Sequence, residues 1–161
     1  MIKIAHFINQ FFAGIGGEDK ADLAVSSSDS SIGASRALAQ KLGDQAQIVR
    51  TVYVGDNYFH EHKAETMKEI IDAIRAAEPQ VLVAGPAFNS GRYGFACVEL
   101  CNAVANELGI PALTAMHDEN PGVALYKELL NTRLFCLPTT ESTTGMNDAM
   151  TRLANFAVRL G

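Results

Sequence analysis

The sequence predicts an α/β protein whose sheet is covered by helices on both faces, and three observations support this class. Short apolar segments alternate along the chain with longer segments whose apolar residues recur every three or four positions. Two of the short segments, residues 81–84 and 133–137, are nearly continuously apolar, which is typical of strands buried on both faces. No internal repeat or change of composition divides the chain, so we expect one domain over residues 1–161.

The first half of the chain is predicted to hold two strands and two helices. The strands are Ile2 to Ile8 and Ile48 to Val54, and the helices are Ala34 to Leu42 and Glu65 to Ala77. Gly43 is placed to end the first helix, since glycine enters the left-handed region at little cost. Pro79 stops the second helix. The serine-rich segment 26–31 is expected to be a mobile insertion, with a phosphate site as the alternative.

The second half adds three strands and three helices. The strands are Val81 to Ala84, Pro111 to Ala115 and Arg133 to Leu137, and the helices are Phe95 to Leu108, Val123 to Leu130 and Met146 to Leu160. Gly109 is placed to end the first of these helices. Because helices separate the strands, the crossovers are right-handed and the sheet is parallel. The order suits a three-layer, doubly wound, mostly parallel five-stranded sheet of the flavodoxin/Rossmann-like kind.

Composition excludes several classes of function. The net charge of -5 and the pI near 5.3 argue against nucleic acid as the main partner, which requires clustered Lys and Arg. No apolar run is long enough to span a membrane, and no signal peptide is recognisable. We therefore expect a cytoplasmic protein that contacts neither nucleic acid nor membrane.

The cysteines and histidines are interpreted as structural. Cys97 and Cys101 share one helix face among apolar residues, and we expect both, with Cys136, to behave as small core residues. His60 and His62 lack a third ligand nearby, so a surface loop is favoured over a metal site and no metal is expected. His6, in the middle of the first strand, is expected to be a hydrogen-bonded core histidine.

In an open parallel sheet the ligand crevice lies beyond the carboxyl ends of the strands. The segments that follow the five strands are residues 9–18, 55–62, 85–94, 116–122 and 138–145. Each is polar, glycine-rich or both, whereas the connections at the opposite edge are plain turns. The sequence therefore predicts a binding site along this one edge.

The segment 84–94 combines three glycines with Arg92 just before a helix, and this combination favours an anion. Alternatives remain at each position. Arg92 would otherwise pair with Glu99 or Glu119, and the glycines at 14, 16 and 17 would only permit a tight backbone. Residues 117–120 suit either a cation or a solvated turn, and the hydroxyls of residues 139–144 either cap the last helix or bind an anion. No dinucleotide or Walker motif and no nucleophile–base pair is recognisable, so catalytic residues stay unassigned.

Five segments together resemble one known family. They are residues 6–21 (HFINQFFAGIGGEDKA), 55–59 (GDNYF), 84–94 (AGPAFNSGRYG), 109–114 (GIPALT) and 119–122 (ENPG). In this order they are similar to the selenoprotein B subunit of the glycine, sarcosine, betaine and D-proline reductases. The resemblance covers nearly the whole chain, so it is more specific than any single motif.

The resemblance implies anaerobic reductive cleavage of a C–N bond alpha to a carboxylate. In that family a selenol attacks the alpha carbon and releases an amine, a small partner selenoprotein accepts the selenoether, and thioredoxin supplies electrons. For glycine and D-proline, a companion subunit binds the amine through a pyruvoyl group. The family's selenocysteine or cysteine lies downstream of the matched region. We therefore expect either the amino-terminal part of a longer reductase subunit or a subunit whose redox residue belongs to another chain. In both cases we expect no cofactor in this chain itself and a place within an oligomer or complex.

Under this resemblance, Arg92 and the amides of residues 91–94 would hold the substrate carboxylate. Asp118 and Glu119 would favour its ammonium or trimethylammonium end, and Tyr58 or Tyr93 would add a cation–π face. The expected substrate-binding residues are Asn9, Gln10, Gly16, Gly17, Glu18, Tyr58, Asn89, Arg92, Tyr93, Glu119 and Asn120. The alternative functions are a flavodoxin-like domain for a flavin or phosphate ligand, and a non-catalytic small-amine sensor or scaffold.

Overall fold

A computed structural model describes all 161 residues, with six strands, six α-helices and two 3₁₀ turns. The strands are β1 (Ile2–Asn9), β2 (Ser26–Ser28), β3 (Ala46–Val54), β4 (Val81–Phe88), β5 (Ala112–Met116) and β6 (Leu134–Pro138). The α-helices are α1 (Ser35–Leu42), α2 (Asp56–Glu61), α3 (Lys63–Ala77), α4 (Gly91–Leu108), α5 (Pro121–Leu129) and α6 (Met146–Leu160). The 3₁₀ turns are Glu18–Lys20 and Thr143–Gly145.

The strands form one sheet in the order β2-β3-β1-β4-β5-β6, and every neighbouring pair is parallel except β2 with β3. If the five parallel strands alone are counted along the chain, their order is 2-1-3-4-5, the flavodoxin-like arrangement. The predicted fold class is therefore confirmed. The order reverses between β1 and β4, and the carboxyl ends of these two strands form the switch point of the sheet.

The predicted number of five strands is wrong, because part of the serine-rich segment is a sixth strand. Ser26–Ser28 pairs antiparallel with β3, and Ser27 lies opposite Val52. Serine has little intrinsic preference for strands, so neither composition nor alternation revealed the pairing. The open edge of β3 provides the hydrogen-bond partners, and this short polar strand covers part of that edge.

Two hydrophobic clusters lie on opposite faces of the sheet. Residues of α3 and α4, such as Ile70 and Val98, pack on one face, and residues of α1 and α6, such as Leu38 and Leu153, pack on the other. The expectation of burial on both faces is confirmed for β4, whose eight residues are all buried. It is wrong for β6, the last strand of the sheet, where only Leu134 is buried.

Helix α4 differs from its predicted bounds and helix α2 was not predicted, and both differences affect the site. Helix α4 begins at Gly91 rather than Phe95, so Arg92 belongs to its first turn. Residues 56–61 form α2 rather than a surface loop. The amides of Asn57 and Tyr58 at the start of α2 donate to the carbonyl of Ala21 at 2.9 and 3.0 Å. This contact across the fold satisfies helix donors that would otherwise be unpaired, and local sequence could not reveal it.

The predicted helix ends at Gly43 and Gly109 are confirmed, since both residues cap their helices with positive φ. None of the helices combines the length and apolar character that crossing a membrane requires.

Candidate substrate-binding site

A cavity of about 560 Å³ lies at the switch point between β1 and β4. Its wall consists of Asn9, Gln10, Phe11, Phe12, Gly17 and Glu18 at and beyond the end of β1, Asp56 of α2, Ala87, Phe88, Asn89, Ser90 and Arg92 from the end of β4 to the first turn of α4, and Glu141, Ser142 and Thr143 after β6. Four segments that are distant in sequence thus meet in one polar cavity. Six of the predicted residues lie in the wall, namely Asn9, Gln10, Gly17, Glu18, Asn89 and Arg92.

Arg92 forms an ion pair with Glu18 and also donates a hydrogen bond to Asn57 Oδ1. Neither partner was predicted from the sequence. Glu99 instead pairs with Lys63 at 3.0 Å, and the Glu119 side chain lies 76% exposed on the turn after β5. The first turn of α4 thus presents a guanidinium that already binds a carboxylate in the chain's own wall.

Asp56 is the most deeply placed charge of the cavity and was missed by the sequence analysis. Its Oδ2 accepts a hydrogen bond from Asn9 Nδ2 at 3.1 Å, and its main-chain amide donates to Gln10 Oε1 at 3.0 Å. Burial raises the pKa of this carboxyl, while the bond from Asn9 and the charge of Arg92 act in the opposite direction. The sequence signal that could have identified Asp56 is its position directly after Gly55, at the end of the second predicted strand.

Asn120 does not line the cavity, but it binds two residues that do. Its Nδ2 donates to the carbonyls of Phe88 and Ser90, both at 3.0 Å, and its Oδ1 accepts from the amide of Gly122 at 3.0 Å. It is 1% exposed and caps α5. Asn120 was expected to contact the ligand directly. Instead, it positions the segment between β4 and α4.

The four remaining predicted residues lie outside the cavity wall. The Tyr93 ring is fully buried and stacks on Phe12, so the expected cation–π face is covered. The Tyr58 ring packs against His62 with centroids 4.4 Å apart. Glu119 belongs to the exposed turn beside His117, and Gly16 is absent from the wall. Asp118 and Glu119 thus lie outside the wall, whose carboxylates are Glu18, Asp56 and Glu141, and the ammonium contact expected of them stays a prediction.

The loop after β6 contributes Glu141, Ser142 and Thr143 to the wall, which the sequence analysis did not specify. Its hydroxyls do not cap α6, whose N-cap is Gly145 and receives no side-chain hydrogen bond. Instead, Ser142 Oγ and Thr144 Oγ1 are hydrogen-bonded at 3.0 Å. The predicted capping role is therefore wrong, and these hydroxyls hold the loop in shape.

The whole chain matches one known protein family. The profile of the family described as glycine/sarcosine/betaine reductase selenoprotein B matches residues 1–161. The chain belongs to this family. The family resemblance predicted from the sequence is therefore confirmed. No solved structure matches the chain.

Curated relatives of this selenoprotein B family member include two that are 42% identical over 158 residues, 98% of the chain. They are the sarcosine reductase complex component B subunit beta of Peptoclostridium acidaminophilum and the glycine reductase complex component B subunit gamma of Carboxydothermus hydrogenoformans. The betaine reductase complex component B subunit beta of Peptoclostridium acidaminophilum is 39% identical over 80% of the chain. The alignments cover 35%, 35% and 29% of these relatives, so the chain spans about a third of their length.

None of the three cysteines of this family member lines the cavity. Cys97 and Cys101 are fully buried in the core, as predicted, whereas Cys136 is only partly buried. Burial raises the pKa of the Cys97 and Cys101 thiols far above the usual range and that of Cys136 to about 11. These thiols do not fit the role of a redox nucleophile, which requires an accessible and readily ionised group.

The histidines of the chain serve the scaffold of the site. His6 is buried between Ser35 Oγ and the Gly85 carbonyl, each 2.7 Å from a ring nitrogen, so the expected core role is confirmed. His60, which lies in α2, places Nε2 3.2 Å from the Arg92 carbonyl. No cluster of three or more His, Cys, Asp or Glu side chains is arranged to hold a metal ion.

Proposed function

We propose that this chain is the substrate-binding part of a component B subunit of a glycine/sarcosine/betaine-type reductase. The reaction is the reductive cleavage of a C–N bond alpha to a carboxylate. Family membership and the names of the relatives support the reaction class. The switch-point cavity, with an arginine and carboxylates in its wall, supports the binding role.

One observation supports substrate binding more than any other, namely that the Arg92 guanidinium at the cavity wall binds the Glu18 carboxylate. A guanidinium that binds one carboxylate suits another, because its planar fork matches both oxygens. The Glu18 side chain is 72% exposed, so its release into solvent costs little free energy. In the proposed complex the substrate carboxylate takes the place of Glu18 on Arg92.

The bond-breaking chemistry is assigned to groups outside these 161 residues. None of the cysteines lines the cavity, and no step is therefore derived from them. We propose that residues 1–161 are one domain of a longer cytoplasmic subunit that acts with a pyruvoyl-bearing companion and a small selenoprotein. The selenol would supply the nucleophile, whereas this chain would bind and orient the substrate.

Calorimetric titration of glycine, sarcosine and betaine into the 161-residue chain tests the binding role. Arg92→Gln is expected to weaken binding of the preferred ligand about tenfold or more, because a charge-assisted contact is lost. Arg75→Gln, which removes an exposed arginine of α3 paired with Asp72, is the matched control and should bind as the wild type does. Equal affinity in the wild type and Arg92→Gln would remove Arg92 from the site. Absence of binding by the wild type for all three ligands would contradict the proposed function.

A flavin- or phosphate-binding domain is the second candidate, because the order of the parallel strands is flavodoxin-like. The charges of the cavity weigh against it, since three carboxylates face one guanidinium and would repel a phosphate. The visible absorbance of the purified chain decides between the two candidates. A flavin spectrum that co-purifies in stoichiometric amount would favour this second function.

A further inference from the structure

We propose that Asp56 receives the positively charged nitrogen of the ligand and selects ligands whose nitrogen carries at least one N–H bond. This inference rests on the proposed function and deepens it, because it assigns the second recognition group of the same cavity. Asp56 is the first residue of α2 and lies in the cavity wall with Arg92. The two residues would bind opposite ends of a small zwitterion.

The surroundings of Asp56 keep its carboxylate in one position. The residue is 6% exposed, Asn9 Nδ2 holds Oδ2, and Gln10 Oε1 accepts from the main-chain amide. Asn9 is itself fixed, since its Oδ1 accepts from the amide of Phe12 at 3.0 Å. Gln10 is anchored to the carbonyl of Gly17 at 3.4 Å. Gln10 thus holds the main chain of Asp56 and Asn9 holds its carboxylate, which keeps the carboxylate in the cavity wall.

The second oxygen of Asp56 lacks a partner within the chain. The Asn9 contact is the one bond with hydrogen-bond geometry to the carboxylate, and it is made at Oδ2, whereas Oδ1 accepts none. Oδ1 is not among the fully enclosed side-chain atoms that lack a partner, so it is accessible from the cavity and can accept a hydrogen bond from a cationic donor. Arg92 does not supply this donor, because its hydrogen bonds go to Glu18 and Asn57. The free acceptor therefore faces the space where a ligand would lie.

The balance of charge in the wall also suits a zwitterion. Glu18, Asp56 and Glu141 are opposed by one guanidinium, so an isolated anion would enter an unfavourable field. A ligand carboxylate that displaces Glu18 restores the pair on Arg92, and a ligand ammonium neutralises Asp56. Both ends of an amino acid are thus matched within one cavity.

The selection for N–H bonds follows from what surrounds the cavity. A carboxylate oxygen recognises an N–H donor directionally, whereas a trimethylammonium group is typically received by exposed aromatic faces. Among the aromatic residues of the wall, Phe88 is 3% exposed and the ring of Phe12 stacks on Tyr93 with centroids 5.5 Å apart, whereas Phe11 is 57% exposed. Because one exposed ring does not enclose a trimethylammonium group as several aromatic faces would, glycine and sarcosine should bind more tightly than betaine.

The test compares two ligands and two variants of the 161-residue chain by calorimetry. Asp56→Asn, which keeps the shape of the side chain, should weaken glycine binding about tenfold or more and leave acetate binding unchanged or tighter. Arg92→Gln should weaken the binding of both ligands. Equal glycine affinity in the wild type and Asp56→Asn would overturn the proposal, as would equal loss of glycine and acetate binding, which indicates a structural effect. If the wild type binds neither ligand, the proposed function itself fails.

A wild-type ligand series keeps the proposal testable even if Asp56→Asn does not fold. Sarcosine, dimethylglycine and betaine carry two, one and no N–H bonds, and their carboxylates are the same. The affinity should fall most steeply, about tenfold, between dimethylglycine and betaine. Betaine binding as tight as dimethylglycine binding would overturn the selection for N–H donors.

Discussion

Glu18 and Arg92 stand 74 residues apart in the sequence and form an ion pair in the wall of the cavity. Glu18 belongs to a short 3₁₀ turn after β1, whereas Arg92 lies in the first turn of α4 after β4. The pair therefore joins the two segments that flank the switch point. The Glu18 carboxylate therefore occupies the Arg92 guanidinium, which is the group proposed to bind the substrate carboxylate.

The first prediction concerns competition between Glu18 and the ligand for Arg92. Glu18→Gln should strengthen the binding of acetate and glycine about two- to fivefold, because removal of an exposed ion pair frees the guanidinium. Calorimetry measures the change, and Glu69→Gln, on an exposed position of α3, is the control. Weaker binding by Glu18→Gln would show that Glu18 contributes to the ligand site rather than competing with it.

The second prediction concerns the close packing of Gly94 on Asn120. A Cβ on Gly94 would lie 2.6 Å from Asn120 Cγ, whereas one on Gly91 would meet nothing nearer than Pro121 Cγ at 3.5 Å. Gly94→Ala should lower the free energy of unfolding by about 1–3 kcal/mol, because it displaces the carboxamide that holds Phe88 and Ser90. Gly91→Ala, in the same helical turn, should change it little. Urea denaturation of both variants measures these changes. Equal free energies of unfolding for Gly94→Ala and Gly91→Ala would refute the role of Asn120.

The third prediction concerns His6, whose burial lowers its pKa from 6.5 to about 4. Between these values the unfolded chain binds a proton that the folded chain excludes, so stability falls as the pH decreases from 6.5 towards 4. The full contribution is on the order of 3 kcal/mol. The pKa of Asp56 is raised on folding, so at the acidic end of this pH range its protonation increases the free energy of unfolding.

Urea denaturation of the wild type and His6→Gln across this pH range isolates the histidine. Glutamine keeps a polar side chain beside Ser35 and Gly85 but does not titrate. The free energy of unfolding of His6→Gln should therefore depend less steeply on pH. If the free energy of unfolding depends on pH equally in the two proteins, His6 is not kept neutral by the fold.

The fourth prediction concerns the cysteines and the proposed placement of the redox chemistry outside this chain. Cys97 and Cys101 should resist alkylation by iodoacetamide in the native protein, since both are buried and their pKa values are raised. All three cysteines should react in urea, which serves as the control. Mass spectrometry of the digested protein identifies the modified residues. Rapid native alkylation of Cys97 would reopen the possibility of a thiol function in this domain.

Particular elements show how much of the fold could be predicted. The apolar run 81–84 correctly located the central strand, and Gly43 and Gly109 correctly located two helix ends, because these signals act within a few residues. Strand β2 was missed because its stability depends on the distant edge of β3. Helix α2 was missed because its first amides bind the carbonyl of Ala21, more than 30 residues earlier.

The sequence by itself determined the alternation of strands and helices, the family, and the edge of the sheet where polar segments collect. These features depend on periodicity, on motifs and on the rule that parallel strands end on the same side. Only the tertiary structure decided which side chains face one another there. Asp56 meets Asn9 across 47 positions, and Tyr93 points into the core although its neighbour Arg92 faces the cavity. The physical reason is that a helix turns by about 100° per residue, so adjacent residues face different surroundings once the helix has packed.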